Sequence, residues 1–163
     1  MSYFTKYILI EASVWVISFI LLLLFVPKER IREAWVSFLF MQAPAWIFGL
    51  TVVELGLLQY PIRFFDTAVS SSFTFEFLAF PTMSVLYNLH YPTNRKLWVR
   101  FCYIVAYPSV MTGFEVLLEG NTNLIKYTGW DWYWSLLTIS AVLQFSYWFF
   151  TWFTGGKSKV RFM

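Results

Sequence analysis

The sequence predicts an all-α protein, an integral membrane bundle of about five transmembrane helices. Hydrophobic residues make up 59% of its 163 residues and charged residues only 13%, whereas a soluble domain carries about 25% charged residues. Mean hydropathy is +0.60. The apolar residues fall into five runs, each close to the roughly 20 residues that cross the hydrocarbon core of a bilayer. No run alternates apolar and polar residues with a period of two, so a membrane β-barrel is not expected.

The expected helices form a single transmembrane domain over residues 1–163. They cover residues 7–26, 34–58, 73–91, 97–118 and 131–154. A signal peptide is the alternative interpretation of the first run. The apolar core of a signal peptide spans about 7–15 residues and is followed by small residues. Here Glu11 interrupts a longer core and the charged segment "PKERIRE" follows it, so we expect a retained helix.

Pro44 lies inside the second run. Proline removes a backbone donor and clashes with the preceding turn of a helix. The sequence therefore predicts a bend over residues 40–44, with the freed carbonyl of Phe40 turned towards other helices, because lipid offers it no hydrogen-bond donor.

Composition also argues against several kinds of site. The net charge of +3 is too small for a nucleic-acid surface, so no nucleic-acid partner is expected. Cys102 and His90 are the single cysteine and histidine, which excludes an intramolecular disulfide and a histidine-rich metal site. The chain has no P-loop, dinucleotide fingerprint or G-x-S-x-G motif. We therefore expect no cofactor, no metal and no catalytic residue, and the sequence does not favour an enzyme.

Basic residues are distributed unevenly between the two ends of the expected bundle. With five helices, the two termini lie on opposite sides of the membrane. Eight of the twelve basic residues then share one side: Lys28, Arg30, Arg32, Arg95, Lys96, Lys157, Lys159 and Arg161. Arg100 lies just inside the same side, and Lys6, Arg63 and Lys126 lie on the other. Cytoplasmic loops are enriched in lysine and arginine, so we expect the N-terminus outside and the C-terminus in the cytoplasm.

Four carboxylates interrupt the apolar runs at a shared depth. Glu11, Glu54, Glu76 and Glu115 each lie three or four residues from the outer end of a separate run. At a rise of 1.5 Å per residue, all four lie about 5–6 Å below the outer surface. A charge inside the bilayer is costly, so such residues usually face the bundle interior and mark a functional site.

These acids suggest an outer-facing acidic pocket. Its candidate residues are Glu54, Glu76, Glu115 and Asp131, with Arg63 and Lys126 at the rim. We expect Glu54, Glu76 and Glu115 to face the interior and Arg63 to pair with Glu76, because a short loop joins them and arginine binds carboxylates through two hydrogen bonds. The alternative is that the acids only form structural ion pairs with Arg63 and Lys126.

Three segments resemble a known family: "QYPIRFF", "FEFLAFPTMSVLYN" and "EGNTNLIKYTGWDWYWS". The chain from about Ala34 to Thr154 is similar to an uncharacterised family of short multi-helix membrane proteins associated with endospore-forming Gram-positive bacteria. The resemblance implies a location in the bacterial cytoplasmic membrane. It implies no activity, substrate or catalytic residue.

The expected function is that of a small binding or transport-accessory protein of the membrane. Its partners would be the lipid bilayer and a cation, a lipid headgroup or a larger membrane complex. Two alternatives stay open: a purely structural helper or complex subunit, and an enzyme that uses carboxylates on a lipid-linked substrate.

Overall fold

The computed structural model describes residues 3–155, and this part of the chain is almost entirely helical. Its five α-helices are α1 (Tyr3–Phe25), α2 (Ile31–Glu54), α3 (Phe80–Leu89), α4 (Leu97–Asn121) and α5 (Trp132–Phe153). By length and composition, all of these except α3 are apolar enough to cross a membrane. The predicted all-α class and the count of five helices are confirmed for the described residues, whereas four of these helices, not five, are long and apolar enough to span a membrane. The predicted basic residues Lys157, Lys159 and Arg161 lie outside them.

Helix α3 occupies the centre of the bundle. It packs against α1, α2 and α5, and every residue from Val85 to Leu89 is buried. A π-helical segment, Phe75–Ala79, leads directly into it. The amide of Phe80 donates to the carbonyl of Phe75, five residues back, which is the π-helical pattern.

The next residue, Pro81, lies in the first turn of α3 and has no amide hydrogen to donate. The backbone carbonyl of Phe77, four residues earlier, instead lies 3.5 Å from the side-chain amide nitrogen of Gln42 on α2. This contact gives Gln42, a polar residue within an apolar helix, a structural role.

Helix α2 ends earlier than the sequence predicts. Glu54 is its last residue, and Gly56 follows with a φ of 67°, a left-handed conformation that glycine adopts without steric cost. Leu58, the predicted end of the helix, instead belongs to the short strand β1 (Leu58–Gln59). This strand pairs antiparallel with β2 (Lys126–Tyr127), with Leu58 opposite Tyr127. The pairing joins two distant connections at one end of the bundle and is an addition to the predicted all-α architecture.

A cluster of small polar side chains holds α2, α3 and α5 together. The side-chain nitrogen of Asn88 donates to the hydroxyls of Ser37, Ser84 and Ser146 at 2.7, 3.3 and 3.0 Å. The hydroxyls of Ser84 and Ser146 are themselves 2.7 Å apart. All four residues are buried. Small residues allow close helix approach, and polar side chains at such an interface bond across it.

Candidate functional site

A cavity of about 80 Å³ lies between α2, the π-helical segment, α4 and α5. We call it the acidic cavity, because Glu76 and Glu115 are both in its wall. The remaining wall is mainly apolar and aromatic, with Tyr60 and Ser135 adding hydroxyl groups. A space of this size has room for several water molecules or one small ligand group.

Glu76 is the most deeply buried acid in the cavity wall. Only 3% of its surface is exposed. Across residues 3–155, neither a lysine nor an arginine forms an ion pair with it. The helix opposite carries Gly49, and a Cβ placed there would overlap the Glu76 carboxylate. The absence of a side chain at Gly49 therefore makes the room that this carboxylate occupies.

Glu115 is half-buried on α4 and is held by hydrogen bonds. Its Oε1 accepts from the Tyr127 hydroxyl at 2.7 Å and from the Ser135 hydroxyl at 2.5 Å. The Ser135 oxygen in turn accepts from Nε1 of Trp130 at 2.7 Å. Strand β2 and the start of α5 thus fix the position of this carboxylate.

Tyr60 brings a phenol to the same wall from the segment that follows β1. Its burial, with a smaller contribution from the negative charges of Glu76 and Glu115, raises the pKa of Tyr60 well above its ordinary value of 10.0. Burial and the hydrogen bond to Glu115 likewise raise the pKa of the Tyr127 phenol. Both phenols therefore keep their protons at neutral pH and can donate hydrogen bonds.

The prediction that Glu54 faces the bundle interior is wrong. Glu54 is exposed and borders a separate surface groove with Leu50, Thr51, Leu55 and Ser70. Gly49, five residues earlier, faces the acidic cavity. Five residues correspond to a rotation of about 140° around a helix, so the face that presents Gly49 to Glu76 turns Glu54 away.

The expected ion pair between Arg63 and Glu76 is also absent from the described structure. Instead, the guanidinium of Arg63 donates to the backbone carbonyls of Tyr60 at 2.6 Å, Val69 at 2.6 Å and Asp66 at 2.9 Å. A loop without regular structure leaves carbonyl groups that need donors. Arg63 supplies these donors and so organises the connection between β1 and the π-helical segment.

Lys126 and Asp131 lie near the cavity but do not line it. Lys126 is exposed on β2 next to the buried Ile125, because neighbouring residues of a strand point to opposite faces. Asp131 is exposed before α5 and accepts a hydrogen bond from the Tyr133 hydroxyl at 2.9 Å. Of the six predicted residues, the cavity brings together Glu76 and Glu115.

Glu11, the remaining acid of the predicted layer, has a separate contact. It is buried on α1 and accepts a hydrogen bond from the Thr74 hydroxyl at 3.3 Å. The Thr74 oxygen accepts from Nε1 of Trp15 at 3.2 Å. This network ties α1 to the start of the central helix, away from the wall of the acidic cavity.

Sequence reasoning missed Gly49, Tyr60 and Tyr127. A glycine inside an apolar helix is a signal of close packing, and Gly49 could have been singled out on that ground. Tyr60 and Tyr127 carried no such signal, because the pairing of β1 with β2, which the sequence did not predict, accompanies the position of Tyr60 in the cavity wall and of Tyr127 beside Glu115.

Comparison with known proteins gives no match for this chain, either among protein-family models, among curated proteins or among solved structures.

Proposed function

We propose that this chain is a multi-pass membrane protein that binds a monovalent cation in the acidic cavity. The supporting observation is Glu76, a buried carboxylate in a cavity wall without an ion-pair partner among residues 3–155. An ionised carboxylate that is buried without a counter-charge costs several kcal/mol. Without a counter-charge a buried acid holds a proton instead, so a cation between Glu76 and Glu115 would bind in exchange for that proton and supply the counter-charge to the ionised form.

The outer surface of the helices supports the membrane location. Leu23 on α1 and Leu97 on α4 are 81% and 79% exposed, and other large apolar side chains are exposed on every long helix. Soluble monomers rarely expose apolar patches of this extent, whereas lipid accepts them. The resemblance described above favours the bacterial cytoplasmic membrane as the location.

The lining of the cavity favours a monovalent cation over a divalent metal ion or a phospholipid headgroup. Ca²⁺ takes six to eight oxygen ligands and Mg²⁺ prefers an octahedral shell, and among the described residues no group of three or more acidic, histidine or cysteine side chains could hold a metal. A phospholipid headgroup carries a phosphate, and none of the described residues in the cavity wall is a lysine or an arginine that would bind it.

A structural role is the second candidate, and the contacts of Glu115 favour it. Its two hydrogen bonds connect α4 with β2 and α5. This role explains Glu115 without a ligand, but it leaves Glu76 unexplained.

The substitution Glu76→Gln tests cation binding. Purified protein would be heated in the presence of Na⁺, K⁺, Mg²⁺, ammonium or methylammonium at constant ionic strength. We expect a monovalent cation to raise the unfolding temperature of the wild type in a saturable way. In Glu76→Gln the apparent affinity should fall at least about 30-fold, because truncating one partner of a buried charge pair costs roughly 2–5 kcal/mol.

The matched control is Glu54→Gln, which removes an exposed carboxylate outside the cavity. It should bind the cation as the wild type does. Equal stabilisation of wild type and Glu76→Gln by every cation would refute the proposed function.

The proposed topology places the N-terminus outside and the C-terminus in the cytoplasm, as the distribution of basic residues favours. Reporter fusions at Met163 and within residues 30–33 should both report a cytoplasmic location. An extracytoplasmic signal from either fusion would exclude this orientation or the count of five membrane crossings.

A further inference from the structure

We infer that the cation taken up by the acidic cavity is the ammonium of an amphiphilic organic amine without an anionic group, and that it arrives from the lipid between α2 and α5. This inference rests on the proposed function and specifies its ligand and its route.

Two buried apolar residues close the end of the cavity below the strands. Leu58 on β1 and Ile125, which precedes β2, both line the cavity and are both buried. The paired strands therefore cover the cavity at this end of the bundle. A small ion from the water would have to pass this cover.

The side of the cavity between α2 and α5 is less well covered. Phe48 on α2 belongs to the cavity wall, yet 48% of its surface is exposed. Thr138, from the outer part of α5, also lines the wall and is half-buried. The cavity thus reaches the outer surface of the bundle beside Phe48.

Helices α2 and α5 are in direct contact at another level of the bundle. The rings of Phe40 on α2 and Phe149 on α5 are stacked, with centroids 3.7 Å apart and planes inclined by 6°. The seam is therefore closed at the level of Phe40 and Phe149, and the opening lies near Phe48 and Thr138. In a membrane, that part of the seam faces lipid chains.

The cavity wall combines two carboxylates with aromatic rings. The carboxylates of Glu76 and Glu115 can accept hydrogen bonds from an N–H group, which a quaternary ammonium lacks. The rings of Phe75, Phe80 and Trp130 also line the cavity, and aromatic faces attract cations. The described wall offers no basic side chain to a phosphate or carboxylate, so an amine without an anionic group is the best complement. Its alkyl chain can extend through the opening into lipid.

The experiment uses the full chain in phosphatidylcholine nanodiscs and follows the unfolding temperature during titration. The probes are methylammonium, dodecylamine, dodecyltrimethylammonium and phosphatidylethanolamine, each compared between wild type and Glu76→Gln. Dodecylamine should act at a concentration at least about tenfold lower than methylammonium, because its chain concentrates it in the bilayer. Dodecyltrimethylammonium should act more weakly than dodecylamine.

The route is tested by Thr138→Trp, which would obstruct the opening. The dodecylamine concentration that gives half of the full rise in unfolding temperature should increase at least about tenfold, because the bound alkyl chain would extend through this opening. Its matched control is Leu137→Trp, the same change at an exposed neighbour outside the cavity wall, which should respond as the wild type does. If Thr138→Trp does not fold, Phe48→Ala serves instead. It widens the opening and should accelerate dodecylamine binding, measured by the change in intrinsic tryptophan fluorescence after rapid mixing.

The outcomes separate this inference from the proposed function. If methylammonium stabilises the wild type but dodecylamine is no better, the lipid route is wrong and cation binding stands. If phosphatidylethanolamine gives a stronger Glu76-dependent rise in unfolding temperature than dodecylamine, the ligand is a phospholipid headgroup and the inference is overturned. An unchanged dodecylamine response in Thr138→Trp, or an unchanged rate in Phe48→Ala, would place the opening elsewhere. If no cation distinguishes wild type from Glu76→Gln, the proposed function itself fails.

Discussion

Replacement of Gly49 with alanine is expected to abolish cation binding in the acidic cavity and to lower the free energy of unfolding by about 1–3 kcal/mol, the usual cost of overpacking. The added Cβ would overlap the carboxylate of Glu76. That carboxylate is buried, so the space left to it is the cavity itself. A carboxylate displaced into the cavity would occupy the volume that the cation needs.

The control for this change is Gly113→Ala. Gly113 lies inside α4, and a Cβ placed there meets no atom within 4 Å. Alanine is favoured over glycine in a helix by roughly 0.5–1 kcal/mol, so this variant should be as stable as the wild type or slightly more so. Unfolding in mixed detergent micelles and the cation titration measure both effects. A Gly49→Ala protein that binds as the wild type does would show that Glu76 is not held as described.

Replacement of Asn88 with alanine is expected to lower the free energy of unfolding by about 2 kcal/mol, through lost hydrogen bonds and a new cavity. The Asn88 amide bonds to Ser37 on α2 and to Ser146 on α5, so it links three helices. The loss is limited because the hydroxyl of Ser84 already lies 3.2 Å from that of Ser37 and 2.7 Å from that of Ser146. The serines can therefore bond to one another.

Asn123→Ala is the matched control, since Asn123 is exposed in the connection after α4. Its free energy of unfolding should change by less than about 0.5 kcal/mol, as is usual for surface positions. The same unfolding assay compares the two variants. Equal stability of Asn88→Ala and Asn123→Ala would mean that the polar cluster does not contribute to holding the helices together.

The number and approximate bounds of the helices could be predicted because hydropathy is a local property. Each apolar run is long enough to be recognised as a helix from its own residues, independently of the other runs. The common level of Glu76 and Glu115 along the bundle could be predicted for a similar reason, since position along a helix axis follows from the rise per residue. These two acids do share a cavity wall.

The direction in which each acid points was not accessible from the sequence. Glu54 and Glu76 are both acids near the end of an apolar run, yet the first is exposed and the second is buried. The difference arises from the rotation of α2 about its own axis. That rotation depends on which residues of α2 pack against the central helix, and Gly49 is the residue that admits Glu76.

The sequence by itself thus determined an apolar, five-helix chain in which Glu76 and Glu115 lie at a common level. Only the tertiary structure decided which acids meet, that Arg63 binds backbone carbonyls instead of Glu76, and that β1 and β2 pair across the cavity. The physical reason is that helix rotation, loop hydrogen bonding and strand pairing depend on contacts between residues far apart in the chain. Composition and local periodicity carry no information about those contacts.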